Sequence, residues 1–429
     1  MKIKIICPRW PKKSLWRHFI FRFPYLSLTT LAALTPEDVE VTIEDENVQQ
    51  INFQDQPDLV AVSIITPLAN RGYAIAEQFR RISIPVVMGG FHATWMAEEA
   101  GQHADAVVLG EAEMVWLQVI EDFKKGSLKK FYQAEGRSDL QKLPIPRRNL
   151  LPKRAYFFTN TMQISRGCPF RCDFCSVTAF FGHTCRLRPL EEVRKEVELL
   201  LQKTNFIFFV DDNIIGNPAY ARDLFSILKE YRVKWLSHAS INIGEDDDLL
   251  KKAGESGCYG LFIGFESLSQ KTLQSHHKTA NRADRYRDLV KKIHDQGIGI
   301  EGSFIFGSDG DDFSVFLRVV EFCEETKIDA AVFAILTPYP GTRLYEQYTR
   351  EDRIISRNWD LYDMNHVVFK PRGMSIEQLQ EGHDWANQRF YSYPSMLKRF
   401  WPVRRCHQVF LPANWGMRRA WNRLAQPAR

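Results

Sequence analysis

The sequence predicts an α/β chain made of two successive parallel-sheet modules and a smaller, mostly helical end. Three observations carry that reading. Short apolar runs such as DLVAVSII (58–65) and AAVFAIL (330–336) lack polar alternation, as strands buried on both faces must. Amphipathic stretches separate these runs, so strand and helix signals alternate as they do in βα units. A weakly periodic stretch bearing Pro144, Pro146 and Pro152 then splits the alternation in two.

The first module covers 1–125. KIKIIC (2–7) is its first strand, followed by a long loop and an apolar helix from about Ser27 to Leu34. EVTIED (40–45), DLVAVSII, IPVVMGG (84–90) and ADAVVLG (104–110) supply four more strands, with helices at about 68–82, after Gly90 and from Glu113. Five strands alternating with helices predict a doubly wound sheet in flavodoxin-like (Rossmann-like) order. Ligands of such sheets bind beyond the carboxyl ends of the strands. Thr66, Gly89, Gly90, His92, Gly110 and Glu111 fall there.

After a connection over 126–160, the alternation restarts and runs through 161–345. MQIS (162–165), NFIFFVDD (205–212), VKWLSHASI (233–241), GLFIGF (260–265), GIEGSFIFG (299–307) and AAVFAIL read as six strands. Pro189 opens a helix with Val193, Val197 and Leu200 on one face, Asn217-Pro218 caps another, and Gly297 closes a third. Six units predict a partial (βα)6 barrel, since the eightfold form needs about 200 residues or more. Residues 346–429 form a helical and loop region ending in a basic, aromatic tail.

Bulk properties narrow the function. The 429 residues are 45% hydrophobic and 25% charged, the balance of a folded chain with room for two or three domains. No apolar run reaches the roughly 18 residues of a membrane span, and MKIKIICPRW reads as a strand rather than a signal peptide. The cytoplasm is the expected compartment. The net charge is +5, yet Ser395–Arg429 contains eight Lys/Arg and no Asp/Glu. The rest is near neutral, which excludes a general nucleic-acid-binding body.

Of eight cysteines, three crowd into SRGCPFRCDFCS as Cys168-x3-Cys172-x2-Cys175. In a reducing compartment such a group binds metal or acts in catalysis, and Cys258, Cys323 and Cys406 read as buried apolar residues. A zinc ribbon takes four ligands in two CxxC pairs, and no second pair exists. Three thiolates on a four-iron cluster leave one iron open for a chelating ligand.

This motif, with Phe174 before its last cysteine and a barrel-opening strand ahead of it, resembles the radical S-adenosylmethionine (SAM) superfamily. The resemblance implies a [4Fe–4S] cluster on Cys168, Cys172 and Cys175, SAM chelating the open iron, and a 5′-deoxyadenosyl radical that abstracts hydrogen. It also implies SAM contacts from VDDN (Asp211 or Asp212), Ser240, Asn242, Glu266 of GFES and Gly307 of IFGSDGD, with TPYPGT (337–342) as the turn after the sixth strand. VDDN also suits a helix N-cap through Asn213 or Asn217. Arg186 and Arg188 read as solvated charge before a helix. His183 reads equally as surface or as site, and Cys185 is disfavoured as a fourth iron ligand.

DLVAVSIITPLANRGYAIAEQFR, VVMGGFHATWMAEEA and HADAVVLGEAE resemble the cobalamin-binding domain of cobalamin-dependent radical SAM enzymes. Together with WDLYDMNHVVFKPRGMSIEQL (359–379), they are similar to the subgroup of the anaerobic magnesium-protoporphyrin oxidative cyclase and the hopanoid methylases. The loop PRWPKKSLWRHF lacks the DxHxxG motif whose His ligates cobalt, so His ligation is not expected. Thr66, Gly89, Gly90 and His92 are then expected to line the corrin and nucleotide-tail pocket; the alternative for GGFH is a tight turn entering a helix. The resemblance implies methylation of an unactivated carbon through methylcobalamin, on a small-molecule or lipid substrate, with a reduced flavodoxin- or ferredoxin-type electron donor. An oxidative cyclase without methyl transfer and a non-catalytic cobalamin or iron–sulfur carrier or sensor are the alternatives. Methylthiotransfer is disfavoured, because this N-terminal region carries only Cys7. Within 396–429, Lys398, Arg399, Arg404, Arg405, Arg418, Arg419 and Arg423 interleave with Trp, which suits peripheral contact with an anionic membrane or packing on the barrel.

Overall fold

The computed structural model describes residues 1–18, 22–152, 155–400 and 406–424. Its first sheet holds β1 (Lys2–Cys7), β2 (Glu40–Asp45), β3 (Leu59–Ser63), β4 (Val86–Gly89), β5 (Ala106–Leu109) and β6 (Phe131–Gln133). All pairs are parallel, in the order β2-β1-β3-β4-β5-β6. Because the order reverses at β1 and β3, helices pack on both faces and a crevice opens at the carboxyl edge. Ile6, Val60, Val62 and Met88 pack under one layer of helices, and Ile3, Ile5, Ala61 and Val108 under the other. The two-faced burial explains the uniformly apolar strands. The sixth strand lies in the stretch expected to be only a connection. Three residues are too short for a periodicity signal.

The second module contains β7 (Thr161–Met162), β8 (Ser165–Arg166), β9 (Arg186–Leu187), β10 (Phe206–Phe209), β11 (Lys234–Ala239), β12 (Cys258–Glu266), β13 (Gly299–Phe306) and β14 (Ala330–Ile335). Six form a parallel, unclosed sheet in the order β14-β13-β12-β11-β10-β7. The strand expected over 162–165 divides. Beyond Met162 the chain leaves the ladder because the carboxylate of Asp211 accepts the N–H groups of Ile164 and Ser165. β8 then pairs antiparallel with β9, and this small hairpin carries the cysteine loop.

Strand residues alternate in burial. Ile207, Phe209, Trp235, Ile263 and Phe304 face the helices and are buried. Phe208, His238, Phe262 and Glu301, on the opposite face, are only half-buried. The concave side is therefore only partly filled, with Phe23 and Phe158 packed on Phe208, unlike the filled centre of a closed eightfold barrel.

The free edge of β14 is covered from the helix Ile376–Phe390 and the residue after it. Tyr391 OH donates to the Ala331 carbonyl at 2.5 Å and accepts its N–H at 3.2 Å, and His383 Nε2 meets the Phe333 carbonyl at 3.1 Å. Backbone groups that would invite a foreign strand are thereby satisfied. The helix His407–Leu424 closes the amino end of the barrel. Phe410 packs against the Cα atoms of Gly260 and Gly299, where any side chain would collide with its ring. Phe400, Phe410 and Trp421 are thus core residues, whereas Trp415 is 66% exposed. Trp401, Arg404 and Arg405 lie outside the described residues.

Candidate functional site

Cys168, Cys172 and Cys175 lie on the loop between β8 and the helix Ser176–Phe181, all half-buried and free. Gly167 enters the loop at φ +90°, and a Cβ there would strike the Thr184 carbonyl, so only glycine fits. Its N–H donates to Asp212 Oδ2 at 2.8 Å. Inside the loop the Cys175 N–H closes a turn on the Cys172 carbonyl at 3.1 Å. Asp173 N–H reaches the His276 carbonyl, and the Phe174 ring meets the His276 ring edge-on at 5.6 Å. Burial raises the Cys168 thiol and pushes Cys172 up to about 12, with nearby Lys278 working the other way. Such thiols keep their protons until a metal displaces them.

Next to the thiols stands an ion pair that sequence reasoning half missed. Lys278 Nζ is 2.9 Å from Glu266 Oε1, with both side chains nearly buried. Burial works against the Lys278 cation, but Glu266 and then Cys172 hold its pKa above the ordinary value. A bulge between Gly264 and Glu266 ends the β12–β13 register, and Glu266 adopts φ +64°. An αL glutamate at a strand end costs energy that its surroundings must supply, a common feature of working sites. The available signal for Lys278 was a cation in HHKTA, in the segment that follows the fourth barrel strand and the short helix Gln270–Ser275.

The two aspartates separate in role. Asp211 is fully buried and accepts from Ile164 N–H, Ser165 N–H and Ser165 Oγ, the last at 2.6 Å. Burial pushes it up to about 7 despite those donors, and Asp212 up to about 6. Both are engaged in holding β8 and the cysteine loop. Ser240, Asn242 and Asn213 form one polar group at the ends of β10 and β11: Ser240 Oγ donates to Asn242 Oδ1 at 2.5 Å, and Asn213 Nδ2 to Ser240 Oγ at 3.1 Å. Gly307, at φ +95°, has its N–H on Asp311 Oδ2 at 3.0 Å and packs beneath Leu379 and Phe369.

A cavity of about 330 Å³ fills the carboxyl edge of the first sheet. Gly89, Gly90, Gly110 and Glu111 line it from that sheet, and Gln163, Arg166, Phe180 and Phe181 from the cysteine-loop side. A Cβ on Gly110 would meet no atom within 4 Å, so the glycine leaves open room. The lining is mostly apolar and contains no histidine. Thr66 and His92 are not among the lining residues. His92 is buried behind the wall, with Nδ1 3.3 Å from Thr66 Oγ1, Nε2 3.1 Å from Tyr73 OH, and Trp359 against its ring at 4.9 Å. Glu111 is consumed by cations: Arg166 Nη1 at 2.6 Å, Arg186 Nη2 at 2.8 Å, and the Ser138 hydroxyl. Arg186 and Arg188, expected to be solvated, are both inside; Arg188 pairs with buried Glu196 at 2.6 Å.

The donors fit the groups that the resemblance implied. Among the described residues no three His, Cys, Asp or Glu side chains gather as a single ion would need. The thiol trio on one loop suits a four-iron cluster, which three thiolates hold with one iron left open. The glycine-walled crevice suits a large, largely apolar ring system with a tail.

Comparison with known proteins gives the same division. The profile described as "Radical SAM superfamily" matches residues 162–323, and that described as "B12 binding domain" matches 23–119. The chain is 32% identical to the bacteriochlorophyllide d C-12(1)-methyltransferase of Chlorobaculum tepidum, over 87% of this chain and 84% of that one. It is 29% identical to the bacteriochlorophyllide d C-8(2)-methyltransferase of the same organism, over 81% and 80%. Among solved structures it superposes on the radical SAM methyltransferase TsrM from Kitasatospora setae, with cobalamin and a [4Fe–4S] cluster bound. The TM-score is 0.64 at 15% identity, covering 82% of this chain and 78% of that one, a likeness of fold.

Proposed function

This chain belongs to the radical SAM methyltransferases that carry a B12-binding domain, and we propose that it methylates an unactivated carbon of a hydrophobic tetrapyrrole. The observation that carries the reading is the shared wall. Phe180, Phe181 and Arg166 of the cysteine-loop module line the same cavity as Gly89 and Gly110 of the first sheet. Two cofactor sites that meet at one chamber suit a reaction needing both at one carbon.

When bound, the cluster with SAM supplies a 5′-deoxyadenosyl radical that removes a hydrogen atom, and cobalamin carries the methyl group that replaces it. The chain's own residues do the rest. Cys168, Cys172 and Cys175 hold the cluster. Lys278 sets a positive charge beside it for a carboxylate, while Glu266 and the Ser240–Asn242 pair offer acceptors and a hydroxyl for an amine and ribose. Gly89 and Gly110 leave the crevice deep enough for a corrin and its tail. Phe91 stacks on Phe180 at 4.2 Å and meets Phe181 edge-on at 5.5 Å, an apolar seal between the modules that keeps water out. Both relatives are methyltransferases, which favours methyl transfer over ring closure.

The electron donor we propose is a reduced flavodoxin or ferredoxin in the cytoplasm, where thiols such as Cys168, Cys172 and Cys175 stay reduced. Among the described residues no helix is long and apolar enough to cross a membrane. Peripheral contact is our reading of the tail. Leu397, Trp415 and Tyr393 are 71%, 66% and 58% exposed, beside a groove bearing Arg418, Arg419 and Arg423. Lipid-binding assays on the full chain and on Trp415→Ala test it; equal binding to anionic vesicles would sink it.

The experiment for the main reading is anaerobic reconstitution with iron and sulfide, then incubation with SAM, cobalamin, reductant and a bacteriochlorophyllide. 5′-Deoxyadenosine together with a substrate heavier by one methyl group is expected. Adenosyl product with a ring-closed, unmethylated substrate would favour the cyclase reading. Neither product would overturn the assignment.

A further inference from the structure

Among the polar side chains that face the lumen of the second module, His238 is one that the reading above leaves unused. His238, near the carboxyl end of β11, faces inward between the rings of Phe208 at 5.9 Å and Phe262 at 5.2 Å. Its Nδ1 is 2.9 Å from the main-chain oxygen of Asp211. A carbonyl only accepts, so Nδ1 carries the proton and Nε2 the lone pair. Burial lowers the ring's pKa and keeps it neutral. No hydrogen-bond partner for Nε2 occurs among the described residues. The parallel register places His238, Phe262 and Glu301 in one row across β11, β12 and β13.

An electron-pair donor fixed in one tautomer and flanked by two aromatic rings has no protein donor among the described residues to saturate it, so it is available to a ligand. A purely hydrocarbon substrate would strand it. A planar substrate with a Lewis-acidic centre would stack on Phe208 and Phe262 and saturate Nε2 at once. We propose that His238 is the axial ligand of the magnesium at the centre of the tetrapyrrole substrate, positioning the macrocycle so that one peripheral carbon faces the radical. This rests on the tetrapyrrole reading and adds to it the residue that recognises the metal. No bond in the substrate is made or broken: the neutral imidazole donates its lone pair, and the magnesium gains a fifth ligand.

The test uses the reconstituted holoenzyme with zinc chlorin e6 and metal-free chlorin e6 as probes, both read by their long-wavelength absorption bands. Wild type is expected to shift the zinc chlorin band to its imidazole-ligated position. His238→Ala is expected to bind zinc chlorin about tenfold more weakly, without the shift, and to bind metal-free chlorin as wild type does. That last measurement also certifies the variant's fold. If the variant does not fold, wild type alone decides: an unshifted band with equal affinity for both chlorins overturns the role of His238. A shift that survives in His238→Ala but vanishes in Glu301→Gln also overturns it, moving the ligand one strand away. Tight binding without a shift leaves the tetrapyrrole reading standing. No binding of either chlorin removes both.

Discussion

Arg166 Nη1 lies 2.6 Å from Glu111 Oε2, and this contact fastens the hairpin that launches the cysteine loop to the strand end that walls the cavity. Glu113 reaches the same Arg166 nitrogen at 2.9 Å, and the guanidinium lies over the Phe181 ring at 5.3 Å. Burial alone would raise the Glu111 carboxyl. The hydrogen bonds from Arg186 and Ser138, with the charge of Arg166, hold it below its ordinary value instead. A buried charge cluster thereby fixes the cysteine loop against the cavity wall.

Removing that carboxylate should be expensive. Glu111→Ala takes one carboxylate from Arg166, which keeps Glu113, and from half-buried Arg186, a defect worth about 1–3 kcal/mol. Denaturant unfolding should register the loss, and limited proteolysis should cut faster between the modules. A loss under about 1 kcal/mol would mean that water replaces the carboxylate without cost.

Lys278→Met should weaken SAM binding roughly tenfold or more, the scale of losing one charge-assisted contact, while iron content stays at the wild-type level. Lys278→Arg should recover most of the affinity. Equilibrium dialysis with labelled SAM separates the two effects. Unchanged SAM affinity in the methionine variant would confine Lys278 to neutralising Glu266. Cys172→Ala, in contrast, should lose the cluster itself.

Gly89 has an ordinary φ, and a Cβ there would touch Val108 at 3.6 Å, so the backbone accepts a side chain. Gly89→Leu would then fill the cavity. Overpacking of about 1–3 kcal/mol translates to a cobalamin affinity roughly 5- to 150-fold lower. Retained iron would show that the cysteine loop is intact. Full cobalamin retention on gel filtration would place the corrin elsewhere.

Strands such as Leu59–Ser63 and Ala330–Ile335 were legible as apolar runs packed against helices, while KIKIIC and EVTIED alternate polar and apolar residues and coincide with β1 and β2 to the residue. Three cysteines at fixed spacing were equally plain. What sequence could not show was direction. Thr66 and His92 lie at strand ends, as expected of pocket residues, yet Thr66 turns toward His92, and His92 toward Tyr73 and Trp359. One peptide's rotation decides that, and no periodicity encodes it. Arg186 looked solvated because its partner, Glu111, is 75 residues away. His238 was invisible for the same reason: its meaning comes from Asp211 and Phe262 on neighbouring strands.

Asp211 offers a test through pH. Three donors favour its charged form, yet its complete burial wins and lifts it from the ordinary 3.8 to about 7. An acid with a higher pKa folded than unfolded takes up a proton on folding, between the two values. Its contribution is therefore fully present at acidic pH, declines as pH rises from about 4 to about 7, and is flat above that. The whole decline is worth at most roughly 4 kcal/mol. Asp212 and Asp311, both raised to about 6, slope the same way, so the useful quantity is wild type minus variant. Asp211→Asn keeps the shape but turns an N–H toward at least one of the three donors, costing about 1–3 kcal/mol at pH 5. The gap between the two proteins should narrow as pH rises to 8, because only wild type loses stability from this site. A gap that stays constant across that range would show that Asp211 is charged throughout, with its hydrogen bonds outweighing burial.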